Sequence, residues 1–254
     1  MFVSKDDLKL QYGVDMEIGK FFVDRKVPKD NSYWSKRLLY IVPMPGNLFI
    51  PIFTDLEFRL GLDKRELLSE GHVTLLEHIM DSAGRHEAKQ ISDEQHIAEC
   101  IALAEAECKN PSLLQDLKYY FSGEKEKASI PLGYPFKSLQ RADAYLFSLC
   151  YFEFDQTLKK KLTECWNALM SFYLIVDDLD DIKADFANHE ENSIIESGLE
   201  KGINTIRELI DRSYEIIQPV NPVLANRFDH KRSVIDIKKI IESFLNDNRA
   251  SSQT

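Results

Sequence analysis

The chain lacks the features that mark several large classes of protein. Its cysteines form no CxxC pair and have no zinc-type spacing, so we interpret all four as free thiols in a reducing cytosol. No apolar run approaches the roughly 18 residues that a membrane span requires. The first seven residues lack the basic-then-apolar order of a signal peptide. These absences predict a cytoplasmic protein without a stable membrane anchor.

Basic residues are also outnumbered, since 32 Lys and Arg face 42 Asp and Glu and give a net charge of -10. Nucleic acids and anionic membranes are recognised through basic surfaces, so we expect no nucleic-acid partner. The chain shows no serine–histidine–aspartate pattern, no phosphate-binding glycine loop and no cysteine–histidine metal cluster. Hydrolases, nucleotide enzymes and zinc proteins are therefore poor candidates.

The apolar residues recur mainly at helical spacing, and no series of strand patterns is present. The sequence therefore predicts an all-α protein. Capping residues and period predict helices over 63–87, 92–108, 111–121, 136–154, 156–186, 190–217 and 233–245.

The first fifty residues have no clean period, and Pro43, Pro45 and Pro51 interrupt an apolar run over 38–53. Because proline breaks regular structure, we predict an extended segment there, lying on the core. The predicted organisation is a segment over 1–50 packed on a helical domain over 51–254.

Five aspartates within nine residues are the most informative feature of the chain: Asp177, Asp178, Asp180, Asp181 and Asp185. Positions i, i+4 and i+8 of a helix share a face, so Asp177, Asp181 and Asp185 point roughly the same way. Magnesium prefers oxygen ligands and usually takes one or two carboxylates together with phosphate and water. The cluster is therefore a candidate magnesium site.

An apolar, aromatic-rich run from Cys165 to Val176 precedes this cluster. Trp166, Met170 and Tyr173 lie on the same helical stripe as Asp177. This helix face is thus expected to be apolar along Trp166, Met170 and Tyr173 and anionic at its C-terminal end. Such a face suits a hydrocarbon joined to a magnesium-bound diphosphate, although ordinary core packing is the simpler interpretation of Trp166 and Met170.

A solvated helix end is the competing interpretation of the aspartates themselves. Two physical facts count against it: carboxylates near a helix C-terminus oppose the macrodipole, and aspartate is a poor helix former. Five aspartates at this position therefore indicate a function such as cation binding.

The segment from Lys137 to Ile217 resembles the C-terminal half of trans-prenyltransferases in the class I isoprenoid synthase superfamily. In that family a lysine opens a helix, and about forty residues later another helix carries a DDxxD motif. Here Lys137 precedes the run from Asp177 to Asp181 by that spacing, and the stretch from Gly198 to Asp211 is similar to the next family helix. The match covers about a third of the chain.

This resemblance implies a single-domain helical bundle around a central apolar cavity, with Mg²⁺ clamping a prenyl diphosphate at its mouth. It implies that Asp177 and Asp181 ligate the metal, with Asp178 or Asp185 in support. Lys137, whose alternative is a surface lysine, would contact the diphosphate. Trp166, Met170 and Tyr173 would line the prenyl pocket. Homodimers are common in the family, so a homodimer is a possible assembly.

The chain departs from the family pattern because its first aspartate-rich motif is not recognisable. The best positional candidates are Asp81, as a facing catalytic and metal-binding carboxylate, and Arg85, as a diphosphate contact one turn later. The alternative for this pair is an i,i+4 surface ion pair. The spacing of Asn188, Asn192 and Glu196 is faintly similar to a terpene-cyclase triad, and we treat it as coincidence.

Three hypotheses remain open from the sequence. The first is a magnesium-dependent terpene synthase or prenyltransferase that ionises an allylic prenyl diphosphate. The second is a non-catalytic relative that binds a prenyl lipid or a partner synthase. The third is a helical interaction protein whose acidic cluster is solvated surface.

Overall fold

The computed structural model describes residues 3–26 and 48–251, with side chains described as far as residue 248. Within these ranges it contains helices and no strands, which confirms the all-α prediction. The α-helices are α1 (Lys5–Tyr12), α2 (Met16–Asp24), α3 (Phe49–Leu60), α4 (Lys64–Leu67), α5 (Glu70–Glu87), α6 (Asp93–Ala106), α7 (Pro111–Phe121), α8 (Gln156–Asn188), α9 (Ser193–Glu196), α10 (Ile203–Ile217), α11 (Pro222–Val234) and α12 (Ile237–Ser251). Short 3₁₀ helices span Lys125–Lys127, Lys137–Gln140, Asp143–Tyr151 and Leu199–Gly202.

The chain divides into two compact units, and the first comprises the described residues of Met1–Leu132 together with Ala142–Glu164. Helix α3 lies in its core, since every residue from Phe49 to Glu57 is buried. The ring of Tyr145 lies edge-on to Phe49 and Phe53, at centroid distances of 5.9 and 5.6 Å. The domain boundary predicted near residue 50 falls inside this unit.

The second unit comprises Gly133–Arg141 and the described residues of Cys165–Thr254. The C-terminal part of α8 packs on α11 and α12 through aromatic pairs. Phe172 stacks on Phe228 at 3.7 Å, and Phe186 meets Phe244 edge-on at 5.3 Å. The acidic cluster of α8 and the segment that contains Lys137 therefore belong to one unit.

Helix starts that carry a cap in the sequence are largely confirmed. Ser92 and Gln95 form a reciprocal capping box at the start of α6, and Asn110 caps α7, which begins at Pro111. The cap predicted at Asp63 does form, but it opens only the four-residue α4. A separate cap, Ser69, opens the long helix α5.

Two segments have a different backbone conformation from the one that the sequence predicts. The prediction of an extended segment over 38–53 is wrong for its described part, because Phe49 begins a helix. Pro51 lies in the first turn of that helix, where its missing N–H breaks no hydrogen bond. Pro43 and Pro45 lie outside the described residues. The helix predicted over 136–154 consists of two 3₁₀ stretches.

The helix predicted over 190–217 is interrupted at Gly198, whose φ of 81° lies in the left-handed region. It separates α9 from the 3₁₀ turn that leads into α10. The helix ends at Ile217, and Pro222 begins α11 behind the cap residue Asn221. None of the helices in residues 3–26 and 48–251 combines the length and the apolar character needed to cross a bilayer.

Candidate functional site

The five aspartates lie near the C-terminal end of α8 and differ sharply in burial. Asp178 is buried, with 1% of its surface exposed, whereas Asp180 and Asp181 are exposed. Asp177 and Asp185 are half-buried. Because α8 runs unbroken through the cluster, Asp177, Asp181 and Asp185 share one face, as the sequence predicts.

Both carboxylate oxygens of Asp178 are engaged by other residues of the second unit. Arg141 Nη2 donates to Oδ1 at 2.6 Å, and the backbone N of Ser193 donates to Oδ2 at 2.7 Å. The hydroxyl of Ser193 also donates to Oδ2. These three donors occupy most of the acceptor sites of the carboxylate, and the supporting metal role predicted for Asp178 stays a prediction.

Two further aspartates of the cluster also have partners. The side-chain amide of Asn192 donates to Asp185 Oδ2 at 2.7 Å and to the backbone carbonyl of Asp178 at 2.8 Å. Lys231 Nζ lies 3.5 Å from Asp180 Oδ2. Of the five carboxylates, Asp181 has no hydrogen-bond or ion-pair partner among the described residues, and Asp177 has only a 3.7 Å ion pair with Arg141.

Asp177 lies in an unusual electrostatic setting. The pKa of its carboxyl is raised to about 6, mainly by burial and further by the charges of Asp181, Asp178 and Asp185, while the nearby guanidinium of Arg141 acts in the opposite direction. Arg141 Nη2 is 3.7 Å from Asp177 Oδ2, a looser contact than the one it makes with Asp178. The Asp177 carboxylate thus has one cation at 3.7 Å and three negatively charged neighbours.

Lys137 lies at the start of the 3₁₀ helix Lys137–Gln140, and its residue is exposed. Its backbone N donates to Glu196 Oε1 at 2.7 Å, and the backbone N of Ser138 donates to Glu196 Oε2 at 2.9 Å. The predicted diphosphate role of its side chain stays a prediction. The position places Lys137 in the same short segment as Arg141.

Sequence reasoning missed four residues of this network: Arg141, Asn192, Ser193 and Glu196. The sequence carries a signal for two of them, because the spacing of Asn192 and Glu196 is similar to a terpene-cyclase triad. Asn192 also caps α9 by accepting from the backbone N of Ile194 and of Ile195. Arg141 carried no signal, since a lone arginine after a 3₁₀ turn has no distinguishing pattern.

The three residues predicted to line a prenyl pocket lie in the apolar part of α8. Trp166 and Met170 are fully buried, at 0% exposure. Tyr173 is half-buried, and its ring meets Phe228 edge-on at 5.8 Å. These positions agree with the simpler interpretation as core, and their role toward a prenyl chain stays a prediction.

Asp81 and Arg85 belong to the first unit, on α5. Arg85 Nε donates to Asp81 Oδ2 at 3.2 Å, and Arg85 Nη2 donates to Glu99 Oε2 at 2.5 Å. Arg85 is thus committed to two carboxylates, as the ion-pair alternative predicts. The facing metal-binding role of Asp81 stays a prediction.

Among the residues that the structure describes, no group of three or more His, Cys, Asp or Glu side chains is arranged to hold a metal ion. Comparison of the chain with protein-family models, with curated proteins and with solved structures gave no match. The geometry of the second unit and the resemblance of its sequence are therefore the two indications of a function.

Proposed function

We propose that the protein is a magnesium-dependent class I isoprenoid enzyme, a terpene synthase or a prenyltransferase, that ionises an allylic prenyl diphosphate. The observation that supports the proposal is that the five aspartates differ in how closely other residues bind them. Hydrogen bonds hold Asp178 and Asp185, and Asp180 pairs with Lys231. Asp177 has only a 3.7 Å ion pair with Arg141, and Asp181, one helical turn later, has no hydrogen-bond or ion-pair partner among the described residues. Asp177 and Asp181 are the residues that the resemblance assigns to the metal.

The donor set fits magnesium in one specific way. Two carboxylates are fewer than a complete protein site needs, in keeping with the lack of a three-residue metal group in the described ranges. Magnesium commonly takes its remaining ligands from substrate phosphates and water. Burial is the main reason why the pKa of Asp177 is raised, and the negative charges around it raise the pKa further; a bound cation would offset those charges.

The metal, when bound, would neutralise negative charge on the leaving diphosphate. The protein's own contribution is placement. Asp177 and Asp181 would hold the metal, and Arg141 would supply a fixed positive charge beside it. Lys137, four residues before Arg141, would add a second cation toward the diphosphate. The apolar run of α8 before Asp177 would keep water from the prenyl chain.

The test is magnesium-dependent release of diphosphate from geranyl, farnesyl and geranylgeranyl diphosphates. Purified protein is compared with an Asp177→Asn, Asp181→Asn double variant and with Asp180→Asn as the matched control, since Asp180 is exposed and pairs with Lys231. Release that requires magnesium, is lost in the double variant and persists in the control supports the proposal. No release from any substrate, with or without isopentenyl diphosphate, contradicts it.

A second candidate is a non-catalytic relative that binds a prenyl lipid or a partner synthase. The commitment of Arg85 to Asp81 and Glu99 favours this function, because it leaves that arginine paired within its own unit. The same assay separates the two. Saturable binding of farnesyl diphosphate without any release of diphosphate would select the non-catalytic function.

A further inference from the structure

Glu196 connects α9 to the segment that ends at Arg141. Its two carboxylate oxygens accept from the consecutive backbone N–H groups of Lys137 and Ser138, at 2.7 and 2.9 Å. Burial alone would raise the pKa of Glu196, but these backbone donors hold it below its ordinary value. The contact is therefore a pair of charge-assisted hydrogen bonds made by an ionised carboxylate.

The same segment is held at its other end by α8. Arg141 donates to Asp178 through Nη2, and its Nη1 donates back to the carbonyl of Ser138 at 2.9 Å. Asp178 in turn binds Ser193, the first residue of α9. The contacts thus close a ring that runs from α8 to α9, from α9 to the 3₁₀ segment, and from that segment back to α8.

We propose that Glu196 is a positioning residue, which fixes the 3₁₀ segment so that Arg141 stands beside Asp177 and Asp178. This inference rests on the proposed function, because the purpose it assigns to Arg141 is recognition of a metal-bound diphosphate. Glu196 contacts neither Arg141 nor Asp177 in the structure. Its effect on the site passes through the backbone of Lys137 and Ser138.

The position of Glu196 makes a clean substitution possible. The residue is exposed overall, so Glu196→Gln leaves no buried charge behind. Glutamine keeps the size of the side chain, but its amide nitrogen is a donor and faces a backbone donor. Glu200 is exposed in the neighbouring 3₁₀ helix, and Glu200→Gln provides the matched control for the loss of one negative charge.

The experiment measures binding of inorganic diphosphate in the presence of Mg²⁺ by calorimetry. We expect Glu196→Gln to weaken binding by about tenfold, as the loss of a charge-assisted hydrogen bond does, and Glu200→Gln to leave it within about twofold. The comparison is made in a Lys137→Gln background, which removes any effect through that side chain. There, adding Arg141→Gln should reduce the loss caused by Glu196→Gln to less than half, because the remaining effect passes through Arg141. Losses of equal size with and without the Arg141 side chain overturn the positioning role.

A second measurement keeps this inference distinct from the proposed function. A double-mutant cycle of Glu196→Gln and Arg141→Gln on the free energy of unfolding should show coupling, because both side chains hold the same segment. If the unmodified protein binds no Mg²⁺–diphosphate while the cycle shows coupling, the proposed function fails and the ring of contacts stands without that purpose. If the cycle shows purely additive losses, the positioning role fails whatever the calorimetry gives.

Discussion

Arg141 and Asp178 are 37 positions apart in the sequence, yet Arg141 Nη2 lies 2.6 Å from Asp178 Oδ1. The carboxylate end of this pair is buried and the guanidinium is partly exposed. The pair ties the acidic end of α8 to the segment that begins at Lys137. It also explains why one member of an apparently uniform acidic cluster is structural.

Loss of the Asp178 carboxylate should destabilise the fold. Asp178→Asn removes the charge that Arg141 and Ser193 bind, inside a buried site, so we expect a loss of about 2–3 kcal/mol in the free energy of unfolding. Urea denaturation measures it. Asp180→Asn, at an exposed position with a looser ion pair, should change stability by no more than about 0.5 kcal/mol. Equal losses for both variants would refute the distinction drawn between the two aspartates.

Glu57 should make stability fall as pH rises. It lies fully buried in α3, neither of its oxygens has a partner among the described residues, and burial raises its pKa well above the ordinary 4.5. The folded protein holds the proton, whereas the unfolded chain releases it above about pH 4.5, so rising pH favours unfolding. Glu57→Gln should therefore gain thermal stability over the parent protein between pH 5 and pH 8, by an increasing margin. A margin that does not change with pH would contradict the buried, protonated state.

His72 should act in the opposite direction. Burial lowers the pKa of its imidazole from 6.5 to about 4, although the hydrogen bond to the Leu67 carbonyl partly offsets this. Between those pH values the unfolded chain takes up a proton that the folded protein does not, so stability falls as pH decreases. His72→Gln should reduce the slope of melting temperature against pH over this range. His78→Gln, at an exposed position of the same helix, should leave the slope unchanged; an equal effect of both would disprove the assignment.

Gly202 should resist substitution because of its close neighbours. A β-carbon at this position would lie 2.0 Å from Ser197 Oγ and 2.8 Å from the Ser197 carbonyl oxygen. Since the backbone atom cannot move away cheaply, we expect Gly202→Ala to cost about 1–3 kcal/mol. Gly19→Ala is the comparison, because a β-carbon there makes ordinary contacts of 3.5 Å or more in a helix, where alanine is favoured. Chemical denaturation of both variants tests the contrast.

Local chemistry made much of the fold predictable. The caps at Ser92 and Asn110 act within three residues of themselves, so their helices could be located from sequence. The face shared by Asp177 and Asp181 follows directly from helical period. The signal at Asp63 was correct locally but could not reveal that Leu68 interrupts the helix and that Ser69 restarts it.

The rest of the candidate site depends on contacts between residues distant in sequence. Nothing near Asp178 indicates that Arg141 will meet it, and nothing near Lys137 indicates that Glu196 will accept from its backbone. Tertiary partners also decide which aspartates are available, since Lys231 and Asn192 approach from other elements. Spacing alone therefore separates Asp177, Asp181 and Asp185 from the other two aspartates by helix face, but it does not show which carboxylates have partners.

The most direct test of the account is a series of single aspartate-to-asparagine variants, assayed by calorimetry for binding of Mg²⁺ with inorganic diphosphate. The account predicts that Asp177→Asn and Asp181→Asn each weaken binding by about tenfold or more, since each removes a charged oxygen ligand, whereas Asp180→Asn stays close to the parent protein. Binding that survives loss of Asp177 and Asp181, or that depends on Asp180 to the same degree, would contradict it.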